Sequence, residues 1–168
     1  MDTITVSTRI DVERQVVISS HPFEHVVARL DATIGRPDMR AFARHLAAAK
    51  TAADLARLVH DATGASGLME MARFDSGQVL RKSTGTGSPK ILRLVVGNPL
   101  IMKALVELVR DAASYAPVTI LVDQRPDGVY LSYDTMASFL APYGNPDAMK
   151  VAEALDAKVA ALLAAAAV

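Results

Sequence analysis

The sequence predicts an α+β fold in which an antiparallel sheet is covered by helices, the last of them long. Two β-rich runs, VTILVDQ and VYLSYD, flank the turn sequence RPDG, which is the pattern of an antiparallel hairpin. From residue 146 onward, apolar residues recur at helical spacing, which predicts a C-terminal helix lying over the sheet. With 168 residues, 51% of them hydrophobic, the chain can bury one sizeable core, so we expect a single domain over residues 1–168.

The N-terminal part of the chain predicts a strand followed by helices. RQVVIS at 14–19 is rich in β-branched residues, and residues 21–35 then carry apolar side chains at helical spacing. Two Ala-rich helices follow at about 37–50 and 51–63, the second of which Thr51 can cap. The sequence therefore predicts a helical insert at about 37–63.

Residues 66–96 predict a short meander of three strands, because the turn sequence DSG and the flexible sequence STGTGSP separate three stretches of β character. In this interpretation Asp75 belongs to the DSG turn.

The helix predicted next, to about Asp111, is apolar almost all round. We therefore expect it to be packed on several sides or to form part of a subunit interface.

The sequence Gly-Asn-Pro occurs twice, at 97–99 and at 144–146, each time before a predicted helix. Asparagine can accept hydrogen bonds from the first helical amides, and proline suits the first helical position. A β run precedes the first copy and FLAPY precedes the second, so helix capping explains the pattern better than duplication. Because a helix start also favours anions, Asn98 remains a candidate ligand-binding residue.

Asp134 can cap the short helix that starts at TMASFL.

Charge and composition exclude several classes of function. Eighteen basic residues balance eighteen acidic ones, which disfavours nucleic acid and anionic membranes as partners. The absence of cysteine excludes disulfides, thiolate metal sites and a cysteine nucleophile. The charged N-terminal residues do not form a secretory signal, and the C-terminal apolar run is too short to span a bilayer. We therefore expect a soluble, cytoplasmic protein without membrane attachment.

Several stretches resemble the family known as domain of unknown function 302 (DUF302). They are GLMEMARFDSG, RLVVGNPLIMK, the run from SYAPVTILVDQ to FLAPYGN, and ALDAKVAALL, with RIDVERQ and HPFEHVVARLDATIG at the N-terminal end. The resemblance implies a curved antiparallel sheet with a long helix across it, of the TATA-binding-protein-like class, and commonly a homodimer. It implies no established activity. The family pattern often has a histidine where this chain has Ser76, so imidazole chemistry is not expected there.

Glu70 is the strongest candidate for acid–base chemistry. Strand alternation groups it with Leu68, Ala72 and Phe74, and a carboxylate on an apolar strand face would have a raised pKa. The alternative is that Met69 and Met71 face the core and leave Glu70 in solvent.

Tyrosines and one asparagine form a second group of candidates. Tyr133 alternates with Val129 and Leu131, so its ring should lie on the core face and its hydroxyl needs a partner. Tyr115 leads into the neighbouring strand, so Tyr115, Tyr133 and Asn98 could line one end of the same sheet. The alternative is that each buried tyrosine only satisfies one hydrogen bond.

No metal or cofactor is predicted. His21 and His25 lie four residues apart, which could place two imidazoles on one helix face, but no third ligand is evident and a helix start explains them. The basic, Gly-containing stretch at 81–90 could meet an anion, although a solvated loop is the simpler interpretation.

Three functions remain open. The first is a protein that binds a small, partly apolar molecule in a pocket between sheet and helices, with Glu70, Asn98, Tyr115 and Tyr133 as polar contacts. The second is a metal-independent enzyme with Glu70 as acid or base and Tyr133 as hydrogen-bond donor. The third is a dimeric scaffold or partner-interaction module.

Overall fold

A computed structural model describes residues 3–84 and 87–168 of the protein. Five antiparallel strands form one sheet in the order β1-β5-β4-β3-β2. Their bounds are Arg14–Ser19 for β1, Met69–Asp75 for β2, Ile91–Gly97 for β3, Val118–Arg125 for β4 and Gly128–Asp134 for β5. The predicted hairpin at RPDG is confirmed as the β4–β5 connection.

The described part of the chain also contains seven α-helices. They are α1 (Phe23–Thr33), α2 (Met39–Ala48), α3 (Ala52–Ala62), α4 (Ser76–Thr84), α5 (Pro99–Leu108), α6 (Met136–Leu140) and α7 (Pro146–Ala167), with 3-10 turns at Arg110–Ser114 and Ala141–Tyr143. The α+β class, the long C-terminal helix and the helical insert formed by α2 and α3 are confirmed. Among the described residues, none of the helices is both long enough and apolar enough to cross a membrane.

One face of the sheet packs on the helices because apolar residues alternate along its strands. The buried strand positions on this covered face are Leu92, Leu94, Val96, Val118, Ile120, Val122, Val129, Leu131 and Tyr133. Helix α7 packs against α1, α5 and α6 and also contacts β1 and β5. Each fully buried aliphatic side chain contributes about 1.5–3 kcal/mol, so this face supplies much of the stability.

The opposite face of the sheet carries the side chains that lie between those core positions. We call it the open face. Pairing register places Arg14, Val16 and Ile18 of β1 on it, opposite Asp134, Ser132 and Tyr130 of β5. Exposed apolar residues lie at both edges of this face: Val16 is 47% exposed, Ile18 55% and Phe74 51%. The open face is therefore a mixed apolar and polar surface rather than a fully hydrated one.

The predicted three-strand meander at 66–96 is wrong, because its middle stretch is helix α4. The Gln78 N–H donates to the Asp75 carboxylate at 2.9 Å, so Asp75 caps this helix rather than forming a strand-to-strand turn. The apolar residues of α4 misled the prediction, because Val79 is 69% exposed and Leu80 is 38% exposed instead of facing a core. Strands β2 and β3 pair directly with each other.

Asp134 does not cap α6, contrary to the prediction. The first amides of that helix, from Met136 and Ala137, donate to the carboxylate of Asp156 on α7, at 2.7 and 2.9 Å. Alternation along β5 places Asp134 on the open face, where it pairs with Arg14 across the two strands. A residue twenty positions downstream therefore does the capping that was expected of the adjacent one.

The two Gly-Asn-Pro sequences are confirmed as helix starts. Asn98 Oδ1 accepts from the Leu100 N–H at 2.8 Å, and Asn145 Oδ1 accepts from the Ala148 N–H at 3.0 Å. Each asparagine also donates its side-chain amide to a distant carbonyl, Asn98 to Gly67 and Asn145 to Leu108. Helix α5, which starts at Asn98, is packed within its own chain, because it contacts α3 and α7 and its Leu105 is fully buried.

Candidate functional site

A cavity of about 500 Å³ lies on the open face, at the end of the sheet next to Tyr115. Its lining residues are Arg14, Arg93, Ser114, Tyr115, Pro117, Val118, Thr119, Leu121, Ser132, Tyr133, Asp134 and Phe139. The volume falls within the roughly 300–1,000 Å³ range of small-molecule sites. This cavity combines a floor of mixed polarity, an aromatic wall and charged groups.

The register of three strands builds the floor. Arg93 of β3 lies opposite Leu121 of β4, and Leu121 lies opposite Ser132 of β5, so the three side chains form a row across the open face. Thr119 lies two residues from Leu121 and therefore on the same face. A cation, an apolar group and two hydroxyls are thus held on a rigid sheet rather than on loops.

The wall is a pair of stacked aromatic rings. The rings of Tyr115 and Phe139 have centroids 4.7 Å apart and planes inclined by 7°. The Tyr115 hydroxyl lies 3.0 Å from the Tyr143 hydroxyl, and this hydrogen bond raises the pKa of Tyr143. Because the Tyr115 hydroxyl is hydrogen-bonded to Tyr143, the Tyr115 ring is held in position beside the cavity.

The charged groups of the cavity differ in how they are compensated. Arg14 binds Asp134 through two hydrogen bonds, Nε to Oδ1 at 2.6 Å and Nη2 to Oδ2 at 2.8 Å. These bonds lower the pKa of Asp134, so the pair stays ionised at neutral pH. Arg93 forms no ion pair with any carboxylate in the described part of the chain; its guanidinium lies 3.4 Å from Thr119 Oγ1 and 5.8 Å from the centroid of the Phe74 ring.

Tyr133 lines the cavity together with Tyr115, but its hydroxyl is used elsewhere. It donates to Asp156 on α7 at 2.5 Å and accepts from the Met136 N–H at 3.2 Å. Burial, followed by the hydrogen bond to the Asp156 carboxylate, raises the pKa of Tyr133 far above its ordinary value. In this structure the hydroxyl proton therefore serves the contact between sheet and helix.

Glu70 lies away from the cavity, in a charged cluster between β2 and α1. Its carboxylate accepts from Arg73 at 3.0 Å (Nε to Oε1) and 2.6 Å (Nη2 to Oε2), and Arg73 also binds Asp31 on α1. The Glu70 side chain is 11% exposed, so it is not in solvent, and its carboxylate contacts charged groups rather than apolar ones. The bonds to Glu70 and Asp31 raise the pKa of Arg73, the bond to Glu70 most, which fits a cluster that ties α1 to the sheet.

A β-bulge explains why alternation grouped Glu70 with the wrong residues. The register shifts between Glu70 and Ala72, so that Glu70 lies opposite Val96 whereas Ala72 lies opposite Val95. These partners occupy opposite faces, and Glu70 therefore points to the helix-covered side while Ala72 lies on the open face. The bulge has no glycine or other local mark in the sequence.

Asn98 also lies apart from the open-face cavity. Besides capping α5, it borders a small space of about 10 Å³ next to Met71, Ile101 and Pro117. The structure thus brings Tyr115 and Tyr133 to one cavity and leaves Glu70 and Asn98 elsewhere. Sequence reasoning missed Arg93 and Phe139; the one available signal was a single arginine within the apolar strand ILRLVV.

A second cavity, of about 880 Å³, borders the basic stretch for which anion binding was the less favoured interpretation. The cations along it already have acidic partners: Arg81 pairs with Asp75, Lys90 with Glu24, and Arg73 with Glu70. Residues 85 and 86 of this stretch lie outside the described residues. The charges of this cavity are therefore better explained by intramolecular ion pairs than by a ligand.

The two N-terminal histidines stack on each other, with ring centroids 4.6 Å apart. Within residues 3–84 and 87–168, no group of three or more histidine, aspartate or glutamate side chains is arranged to hold a metal ion. The stack accounts for the four-residue spacing of His21 and His25 without a ligand.

Comparison with known proteins identifies the family of the chain. The chain resembles the crystal structure of an uncharacterized conserved DUF302 protein from Bacillus stearothermophilus, with a TM-score of 0.64 and 14% sequence identity over 91% of this chain and 97% of that one. At that identity the likeness concerns the fold. No curated protein matches the chain. The family model described as "Domain of unknown function DUF302" matches residues 44–166, which is most of the sequence, and the protein is therefore a member of the DUF302 family.

Proposed function

We propose that the protein binds a small, partly apolar molecule in the open-face cavity. The observation that carries this proposal is the cavity itself: a stacked aromatic wall and the Leu121 side chain lie around a guanidinium that has no carboxylate partner within the described residues. An apolar enclosure with a few placed polar groups is the usual composition of a small-molecule site. Tyr115 and Tyr133, both predicted as ligand contacts, are among the residues that line this cavity.

The site differs in place from the pocket expected from sequence. That pocket was predicted between sheet and helices and included Glu70 and Asn98, whereas this cavity lies on the face that the helices leave uncovered. Of the four predicted contacts, two line it. Ligand binding by this cavity would therefore depend on Arg93, Phe139 and Tyr115 rather than on Glu70.

Native mass spectrometry of the untagged protein, compared with its denatured mass, tests the proposal. We expect a stoichiometric extra mass, or a rise in melting temperature when a ligand is added, in the wild type. Phe139→Ala should weaken retention because it removes half of the aromatic wall. Val79→Ala is the matched control, since Val79 is exposed on α4 and lies outside the cavity lining. Equal retention by both variants would place the ligand elsewhere.

A homodimer is a second candidate, favoured by the exposed apolar residues of the open face. Val16, Ile18 and Phe74 lie on the same face as the cavity and are about half exposed. Val16 and Ile18 are adjacent on β1, whereas Phe74 lies at the opposite edge of the sheet, and an exposed apolar group such as the β1 pair is typical of surfaces that bind another protein. The interface predicted on α5 is less suited to this role, because Leu105 lies in the core of its own chain.

The enzymatic alternative stays a prediction with less support. Glu70 is engaged by Arg73, and the Tyr133 hydroxyl is engaged by Asp156, so each predicted catalytic group already has a structural partner. If Glu70 were the acid or base, Glu70→Gln would abolish turnover without lowering the melting temperature.

A further inference from the structure

We propose that the ligand of the open-face cavity is an organic acid, with a flat apolar or aromatic body and one carboxylate that binds Arg93. This inference rests on the proposed ligand site and adds the chemical class of its occupant. It follows from the charge balance of the lining, from the geometry around Arg93 and from the aromatic wall.

Within residues 3–84 and 87–168, the cavity lining carries one charge that no carboxylate balances. The charged lining residues are Arg14, Arg93 and Asp134, and Arg14 binds both carboxylate oxygens of Asp134. The positive charge of Arg93 remains, next to the aromatic wall and the apolar side chain of Leu121. A ligand with one negative charge would make the occupied cavity neutral, whereas a cationic ligand would be repelled.

The groups around Arg93 suit a carboxylate in particular. A guanidinium presents its N–H donors in a planar fork that matches the two oxygens of a carboxylate. Thr119 Oγ1 lies 3.4 Å from one Arg93 nitrogen, so its hydroxyl is close enough to share the same anion. A phosphate monoester carries about −1.5 to −2 charges at pH 7, which a single free guanidinium does not balance.

The body of the ligand is set by the remaining walls. Tyr115 and Phe139 stack nearly in parallel and present flat apolar surface, and Leu121 and Pro117 line the cavity as well. Flat rings gain from offset or edge contacts with such aromatic pairs in addition to the burial of apolar area. An aryl or branched aliphatic acid fits this combination better than a polar acid such as a sugar acid.

Titration calorimetry with phenylacetate, phenylacetamide and inorganic phosphate tests the inference. The acid and the amide share a ring but differ in charge, so their comparison isolates the carboxylate. We expect phenylacetate to bind the wild type at least tenfold more tightly than phenylacetamide, and Arg93→Gln to weaken phenylacetate by about 10- to 100-fold. Amide chemical-shift changes at Thr119 and Leu121 should locate the bound acid in the cavity.

Two further variants control for charge and for fold. Arg44→Gln removes the same charge from an exposed position on α2, outside the cavity lining, and should leave phenylacetate binding unchanged. Arg93→Lys keeps the charge but loses the fork, so its affinity should be intermediate. Arg93 is exposed, so each variant should melt close to the wild type.

The alternative results separate this inference from the proposed function. If phenylacetate and phenylacetamide bind equally well and Arg93→Gln changes neither, the cavity binds ligands but the carboxylate assignment is wrong. If phosphate alone binds in an Arg93-dependent way, the site takes inorganic anions and the organic acid is wrong. If none of the probes binds at millimolar concentration and no mass is retained natively, both the inference and the proposed function fail.

Discussion

At the scale of single residues, the described part of the chain uses its buried polar groups to join elements. Asp156 is only 8% exposed, yet it accepts hydrogen bonds from one side chain and two backbone amides: the Tyr133 hydroxyl and the Met136 and Ala137 N–H groups. A buried carboxylate would be costly if these donors were missing. The Tyr133–Asp156 pair therefore fixes the end of β5 and the start of α6 against α7.

Replacing Tyr133 by phenylalanine tests this role. The change keeps the ring and removes one of three donors from a buried carboxylate, so we expect a loss of about 1–3 kcal/mol in the free energy of unfolding, measured in urea. Tyr130→Phe is the matched control, because the Tyr130 hydroxyl bonds Asp127 at the surface. A catalytic role limited to the Tyr133 hydroxyl would instead leave stability equal in the two variants.

At the scale of elements, local capping and long-range hydrogen bonds act through the same side chains. Asn98 starts α5 through its oxygen and binds the Gly67 carbonyl ahead of β2 through its nitrogen. Asn145 does the same between α7 and the end of α5. Each Gly-Asn-Pro corner therefore fixes both the first turn of a helix and the position of a distant segment.

Two substitutions of Asn98 separate these contributions. Asn98→Ala removes the cap and should cost about 0.5–2 kcal/mol of unfolding free energy. Like the alanine variant, Asn98→Asp loses the bond to Gly67, and its second carboxylate oxygen faces that carbonyl. Unlike alanine, aspartate keeps the accepting oxygen at a helix N-terminus, which favours a negative charge. We therefore expect the aspartate variant to unfold at a higher urea concentration than the alanine variant. The reverse order would show that a carboxylate oxygen next to the Gly67 carbonyl costs more than the retained cap contributes.

At the scale of the whole molecule, the sheet separates two environments. Its covered face forms the core, whereas its open face combines the cavity with the exposed apolar residues Val16 and Ile18. Ser132 of the cavity lies directly opposite Val16, so the cavity and the apolar patch are continuous. A second copy that bound to this face would therefore lie close to the open-face cavity.

Ile18→Glu tests whether the open face is a dimer interface. If two copies associate through this face, Ile18 becomes buried in their interface, where a charge disfavours association. We therefore expect this variant to be a folded monomer by light scattering if the wild type is a dimer. Val79→Glu changes an exposed apolar residue of α4 and should leave the assembly intact. A dimer that persists in Ile18→Glu with unchanged stability would place the interface elsewhere.

Much of the fold could be predicted because its signals are local. The alternation of β4 and β5, the turn between them and the asparagine caps each depend on residues within about four positions of one another. Helix α4 was missed although its capping residue, Asp75, was noticed, since two exposed apolar residues imitated a strand. The error arose where the apolar pattern and the cap disagreed, and the cap was the better guide.

The sequence by itself determined the α+β class, the order of most elements and the two asparagine-capped corners, because propensity, periodicity and capping act between near neighbours. Only the tertiary structure decided the site. The bulge at Glu70 redirects that carboxylate toward Arg73, and Asp156 replaces Asp134 as the cap of α6 from twenty residues away. Among the residues that the structure describes, Arg93 has no carboxylate partner, because strand pairing places it beside Leu121 and Thr119. Such contacts join residues far apart in the chain, and strand register and packing, rather than local pattern, determine which of them meet.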